Sequence, residues 1–260
     1  MDEDSASAKD DPEFVQSLAR GLAVLQSFES DKPAMTLSEV AKRTGLSRGT
    51  SRRLLLTLER LGFVASDGKL FSLRPRVMDL GYRYLSSLPW WHIAQPILEE
   101  AVAATGESFN IAILDGADIV YITGIAINRI VTTAIRIGTR LPALATASGR
   151  LLLGRMPDAQ LDDYLAAATP TRYTPKTIVD KAELAAIIRR SRTEGYCFVD
   201  GELEIELRSI AVVIEDRGGR AIGALATSSH SYREPARNSI RRNLPVLRET
   251  ATKITAAAPA

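Results

Sequence analysis

The sequence predicts a two-domain α+β protein: an N-terminal winged helix-turn-helix, a linker helix, and a C-terminal antiparallel sheet flanked by helices. Three observations lead there. Residues 36–73 read as two short amphipathic helices joined by a glycine-containing turn and followed by a tight β-hairpin. Basic charge gathers in the same stretch: the 260-residue chain carries a net +2, yet residues 36–76 hold nine Lys or Arg against three Asp or Glu, a net +6. From about Trp90 the texture changes to β-forming segments alternating with helices, without an internal repeat.

The elements follow in order. Residues 1–13 hold six acidic residues and one lysine and read as a short disordered tail. The winged helix-turn-helix is placed at 14–75. Its first helix, over 14–28, puts Leu18, Leu22 and Leu25 on one stripe, and "SDKPAM" breaks it. Thr36 and Glu39 form the S/T-x-x-E capping box, in which hydroxyl and carboxylate reciprocally satisfy the first backbone amides. Leu37, Val40 and Ala41 face inward, Gly45 is a left-handed stop, and Ser47 caps the next helix. That helix runs to about Leu61, with Leu54, Leu58 and Leu61 on one face. "FVASDGKLFSL" reads as two strands turning at Asp67-Gly68. The linker helix, 76–89, places Val77, Leu80, Tyr84 and Leu88 on one side. The second domain, 90–260, holds a helix stopped by Gly106 and a hairpin turning at Asp115-Gly116. A strand in "VTTAIRIG" and a helix after Pro142 follow, then helices at about 158–167 and 180–193. Strands in "GYCFVDG", "LRSIAVVIED" and "AIGALATSS" and a basic closing helix complete it. Trp90 and Trp91 are read as packing residues rather than a stacking platform for a ligand.

The helix opening at Ser47 poses the functional question. Ser47, Arg48, Gly49, Thr50, Ser51, Arg52 and Arg53 crowd its first turns, and Arg52 lies roughly 200° around the axis from Leu54. A charged helix face often meets only water. In a helix-turn-helix, however, this end enters the major groove, where arginine forks onto guanine or phosphate and a glycine allows close approach. The order of capping box, turn, helix, hairpin and basic charge favours double-stranded DNA. Lys69 and Arg74 are then wing contacts.

Other classes are disfavoured. No apolar run reaches 18 residues and the N-terminus lacks an apolar signal core, so no membrane partner is expected and the chain reads as cytoplasmic. The single cysteine, Cys197, permits no intrachain disulfide. A small hydrolase using Ser148 or Cys197 is the rival enzyme reading. G-x-S-x-G is absent, however, and Cys197 lies in an apolar strand without a histidine base. P-loop, dinucleotide and metal motifs are absent, and His92 and His230 lack ligand spacing, so neither metal nor cofactor is expected. A purely architectural DNA binder would not need so large a second domain.

The residues "SLARGLAVLQSF", "LSEVAKRTGLSRGTSRRLLLTLERLGFV", "IRIGTRLPALATASGRLLLG" and "VDGELEIELRSIAVVIED" resemble the IclR family of bacterial transcriptional regulators over roughly 14–255. "GTRLPA" and "ELE-x-x-LRSIAV" are similar to its subgroup controlling protocatechuate, 4-hydroxybenzoate and β-ketoadipate catabolism. "ATASGR" and Val213 depart from the pattern of that subgroup. The resemblance implies a GAF-like effector domain, a homodimer or tetramer, and a small aromatic or dicarboxylic acid as effector. It also implies a pocket wall of Ala147, Ser148, Asp200, Leu207, Ser209 and Ser228. An unrelated small carboxylate is the alternative effector. The run of small residues from Gly138 to Gly149 suits either a carboxylate cradle or tight helix–sheet packing. Arg208, in an otherwise apolar strand, is a candidate carboxylate partner. Strand alternation would instead turn it away from Ser209, towards Glu204 or Glu206. Arg136 and Arg140 are open in the same way.

Overall fold

The computed structural model describes residues 12–125 and 135–257. Most of the expected acidic tail and part of the strand expected at 131–138 lie outside the described residues. The chain divides into two compact units between Tyr84 and Leu85.

In the first unit, helix α1 (Gln16–Gln26) leads to strand β1 (Ala34–Thr36), α2 (Leu37–Thr44) and α3 (Arg48–Arg60). Strands β2 (Val64–Ser66) and β3 (Leu70–Leu73), a 3-10 turn at Pro75–Val77 and all but the last two residues of α4 (Met78–Ser86) complete it. Both halves of the capping box form: the Thr36 hydroxyl accepts from the Glu39 amide at 3.4 Å, and the Glu39 carboxylate accepts from the Thr36 amide at 2.9 Å. Gly45 ends α2 at φ 66°, a conformation that costs other residues more. Ser47 caps α3, its hydroxyl accepting from the Thr50 amide at 3.2 Å. Asp67 closes the wing by accepting from the amides of Lys69 and Leu70 at 2.9 and 2.7 Å. These bonds hold the Asp67 carboxyl below its ordinary pKa, that from Leu70 contributing most. Val24, Met35, Val40, Leu55, Leu58 and Val64 form the core, each buried side chain contributing about 1.5–3 kcal/mol.

Several local expectations change. Residues 30–35 hold the start of a strand as well as a break: β1 pairs with β3, giving the sheet order β1-β3-β2. Three residues are too few to display a period, and buried Met35 seats the strand. In α1, Val24 is buried and Leu25 half-buried, whereas Leu18 and Leu22 are 63% and 45% exposed. In α3, the inward face is Ser51, Leu55 and Leu58; Leu61 sits at the C-cap and is exposed. In α4, Leu80 and Tyr84 are likewise exposed.

The second unit contains α5 (Trp91–Thr105), β4 (Ser108–Asp115), β5 (Asp118–Ile125) and β6 (Arg140–Pro142). Then come α6 (Ala147–Leu153), α7 (Asp158–Ala167), α8 (Lys181–Glu194), β7 (Cys197–Asp200), β8 (Leu207–Glu215), β9 (Ala221–His230) and α9 (Ala236–Ala257). The strands form one antiparallel sheet in the order β6-β5-β4-β9-β8-β7. Period-2 alternation divides its side chains between two cores. Phe109, Ile111, Ile210, Val212 and Leu225 pack with α5 and α9, and Trp90 joins them at 3% exposed. Ala112, Ala211, Ala224 and Ala226 pack with α6, α7 and α8. The Trp91 indole donates to the Ile122 carbonyl at 2.9 Å, so both tryptophans serve packing. Residues 135–138 are not a strand; the edge strand is Arg140–Pro142, entered after a turn at Ile137-Gly138.

Candidate functional site

In the first unit, α3 presents its N-terminal turns to solvent. Ser47, Arg48, Gly49, Arg52 and Arg53 are exposed and Thr50 is half-buried. The guanidiniums of Arg48, Arg52 and Arg53 make no ion pair among the described residues, while nearby Arg43 is consumed by Glu29 and Asp31. Three unneutralised cations on one helix end are an anion-attracting surface. Gly49 is informative: a Cβ there would meet nothing closer than the Ser47 hydroxyl at 4.0 Å. Internal packing therefore does not require a glycine that costs about 1 kcal/mol relative to alanine in a helix. Ser51 departs from the expected set. It is 0% exposed, facing the core one turn before Leu55, and cannot reach a groove from there. Lys69 and Arg74 are exposed at the tip and base of the wing. Neighbouring Arg76 instead covers the Phe63 ring at 5.6 Å.

In the second unit, the expected effector residues separate by face. Ser209 lies opposite Ser228, with their hydroxyls 3.4 Å apart, and Ser228 lies opposite Ser108 on β4. This row of three serines is on the same face as α6, which supplies Ala147 and Ser148. Leu207 lies one row further, opposite His230, whose buried Nδ1 has no hydrogen-bond partner among the described residues. Arg208 and Asp200 lie opposite one another on the other face. The Arg208 guanidinium is 3.3 Å from the Asp200 carboxylate and donates to the Glu234 carbonyl at 2.7 Å. Alternation has thus turned Arg208 away from the serine row, and its partners are Asp200 and Glu234 rather than Glu204 or Glu206. Asp200 lies on that other face with Arg208, and among the described residues its buried Oδ1 and the Arg208 Nε have no hydrogen-bond partner. Arg140 is engaged at the surface by Asp115 and Asp118 at 2.7 and 3.1 Å, and Arg136 is exposed.

The small residues before α6 have a packing role. A Cβ on Gly149 would collide with the Ala143 backbone, and the Gly149 amide already donates to the Thr146 hydroxyl at 3.2 Å. Behind them is a feature the sequence reading missed. Arg150, 1% exposed, donates from both terminal nitrogens to the two oxygens of Glu202 at 2.6 Å, and its Nε donates to the Leu144 carbonyl at 2.7 Å. Glu202 lies in the "ELE" stretch, so that motif anchors α6 to the β7–β8 connection. Ser108, Asn110 and His230 share the sheet face of Ser209 and Ser228 and were also missed. Counting by twos from Ala112 and Ser228 would have found them. Cavities of about 710, 400 and 380 Å³ lie elsewhere in this unit, away from the serine row. Burial pushes the Cys197 thiol up to about 12, an unreactive core residue.

A winged helix with an open basic recognition end, joined to an α+β unit that carries a polar face under a helix, is the layout of a two-domain DNA-binding regulator. Residues 17–68 match the IclR helix-turn-helix domain and residues 82–256 the bacterial transcriptional regulator IclR C-terminal domain. The chain therefore belongs to the IclR family of bacterial transcriptional regulators and is not an enzyme. It is 43% identical over 238 residues to the Pca regulon regulatory protein of Pseudomonas putida, covering 91% of this chain and 82% of that one. Over 247 residues it is 33% identical to the p-hydroxybenzoate hydroxylase transcriptional activator of Acinetobacter baylyi, covering 93% and 91%. A transcriptional regulator structure from Rhodococcus sp. RHA1 superposes with TM-score 0.85 at 46% identity, covering 94% and 98%. An IclR homolog from Microbacterium hydrocarbonoxydans, complexed with 4-hydroxybenzoate, superposes with TM-score 0.82 at 25% identity, covering 94% and 99%. Among the described residues, no helix is long and apolar enough to cross a membrane.

Proposed function

We propose that this chain is a cytoplasmic regulator of aromatic-acid catabolism genes. Its α3 end reads operator DNA, and its effector face binds protocatechuate, 4-hydroxybenzoate or β-ketoadipate. The observation that carries the DNA half is the unneutralised Arg48, Arg52 and Arg53 beside a glycine that internal packing does not require. The sensing half is supported by the half-buried Ser209 and Ser228 beneath α6, together with the names and bound ligand of the relatives. Aligned hydroxyls are apt donors to a carboxylate. A homodimer or a tetramer built from it is favoured by exposed apolar residues on and just before α1: Phe14, Val15, Leu18 and Leu22 are each at least 43% exposed. Two such chains present two recognition helices to a palindromic site. Effector binding changes operator affinity by linkage, for which a coupling of about 1–3 kcal/mol suffices.

The test is fluorescence anisotropy of the protein on DNA upstream of its own gene at fixed salt, with the three acids titrated in. Competitor-resistant binding that one acid alters is expected. Ser209→Leu, which fills the effector face, should keep DNA affinity and lose the response to acid. An unchanged response in that variant removes Ser209 from the site.

A further inference from the structure

Besides His230, a second polar side chain on the effector face has no hydrogen-bond partner among the described residues. Asn110, in the middle of β4, is 7% exposed, and its carboxamide makes no hydrogen bond among the described residues. It lies opposite Ala226 on β9, which in turn lies opposite Ala211 on β8, so one side of its row is small and apolar. On the other side is Gly124 of β5. A Cβ on Gly124 would overlap the Asn110 carboxamide oxygen and come within 3.0 Å of its carbon. Gly124 is not among the glycines with positive φ, so backbone conformation does not explain it. Its lack of a side chain makes room for the carboxamide, and also clears the Phe109 carbonyl, which lies 3.0 Å from the same point. The carboxamide atoms are not wholly shut off from solvent, so the side chain keeps unused hydrogen-bonding capacity that a bound polar group can take.

Position supplies the rest. Ser108, two residues before Asn110, belongs to the serine row with Ser209 and Ser228. Two residues of strand rise are roughly 7 Å, about the length of a para-substituted benzene ring. We propose that Asn110, whose carboxamide occupies the space left by Gly124, is the specificity-determining residue of the effector site. It hydrogen-bonds the polar substituent at the far end of an acid whose carboxylate lies on the serine row. The ligand class is a carboxylic acid with a hydroxyl, oxo or second carboxyl group one ring length away. This inference rests on the effector reading above.

Calorimetry on the full chain tests it, with 4-hydroxybenzoate, protocatechuate and β-ketoadipate compared with benzoate and hexanoate, which lack the far group. Wild type should prefer the acid bearing the far group. Asn110→Ala should weaken that acid about tenfold while leaving the truncated analogue within about twofold, so that selectivity collapses. Gly124→Ala, which retains Asn110 and displaces its carboxamide, should do the same. No internal bond is lost in Asn110→Ala, so the Tm without ligand should hold or rise; a marked fall would make the residue structural and overturn the proposal. Unchanged selectivity in Asn110→Ala, with binding abolished in Ser209→Leu, overturns the role of Asn110 and leaves the effector site standing. Full binding in Ser209→Leu, or no acid bound by wild type, overturns the effector reading and this inference with it.

Discussion

Replacing Glu202 by alanine removes one half of a buried ion pair and leaves the other half charged. The Arg150 side chain is 1% exposed and that of Glu202 7%, so neither charge can turn to water. Two contacts of 2.6 Å join them, and Glu202 also accepts from the Ile178 amide at 2.9 Å. Stranding a buried charge costs about 3–5 kcal/mol. For a unit of this size each kcal/mol moves Tm by about 2–4 °C, so the C-terminal unit should melt roughly 6–20 °C lower. The assay is calorimetry of the full chain, following the transition of that unit. The double variant Arg150→Met with Glu202→Leu removes both charges and fills the space with apolar groups. It should recover about 2 kcal/mol, short of wild type: the Ile178 amide loses its partner in both variants, and the double variant exchanges the stranded charge, about 3–5 kcal/mol, for an unpaired Leu144 carbonyl, about 1–3 kcal/mol. A loss below about 1 kcal/mol in Glu202→Ala would refute the argument. So would a double variant no more stable than the single one.

Three further outcomes are expected. Arg52→Ala should weaken operator binding without altering acid affinity, and should lower the salt-dependence slope by about one; equal slopes would place Arg52 off the phosphates. The Glu39 carboxyl is held down to about 2 by Lys32 and by the Thr36 amide and hydroxyl. Its contribution is therefore complete above pH 4.5, the unperturbed value, and is lost as pH falls towards 2. Acid unfolding followed by circular dichroism should show wild type losing stability relative to Glu39→Gln across that window, and parallel profiles would contradict the capping-box account. Leu18→Asp, on the exposed stripe of α1, should shift the protein towards monomer in sedimentation without lowering its helix content; an unchanged sedimentation coefficient would move the interface elsewhere.

Much of the first unit could be read directly because its signals are local. The Thr36–Glu39 box, Gly45, Ser47 and Asp67-Gly68 each act within four residues, and each forms as read. What the period could not supply was which face is covered. Leu18, Leu22 and Leu61 obey a helical period, yet which side of a helix is covered depends on what packs against it, and Val24 and Leu55 took the inward positions. Ser51 was assigned to DNA by its place in the sequence and buried by its place on the helix.

In the second unit, the residue types alone determined that helices and strands would alternate, that the strands would form an antiparallel sheet, and that Cys197 would be inert. They also raised the possibility that Arg208 and Ser209 would part company, since adjacent strand residues point oppositely. Only the tertiary structure decided the pairings. It set Ser209 beside Ser228 and Ser108, Arg208 beside Asp200, and Arg150 against Glu202 across 52 residues of chain. It also laid the Asn110 carboxamide over Gly124. Caps and turns are satisfied by their own neighbours, so the sequence carries them openly. Register and burial are set by strands and helices distant in the chain, and a single sequence holds no mark of which distant residue a side chain will meet.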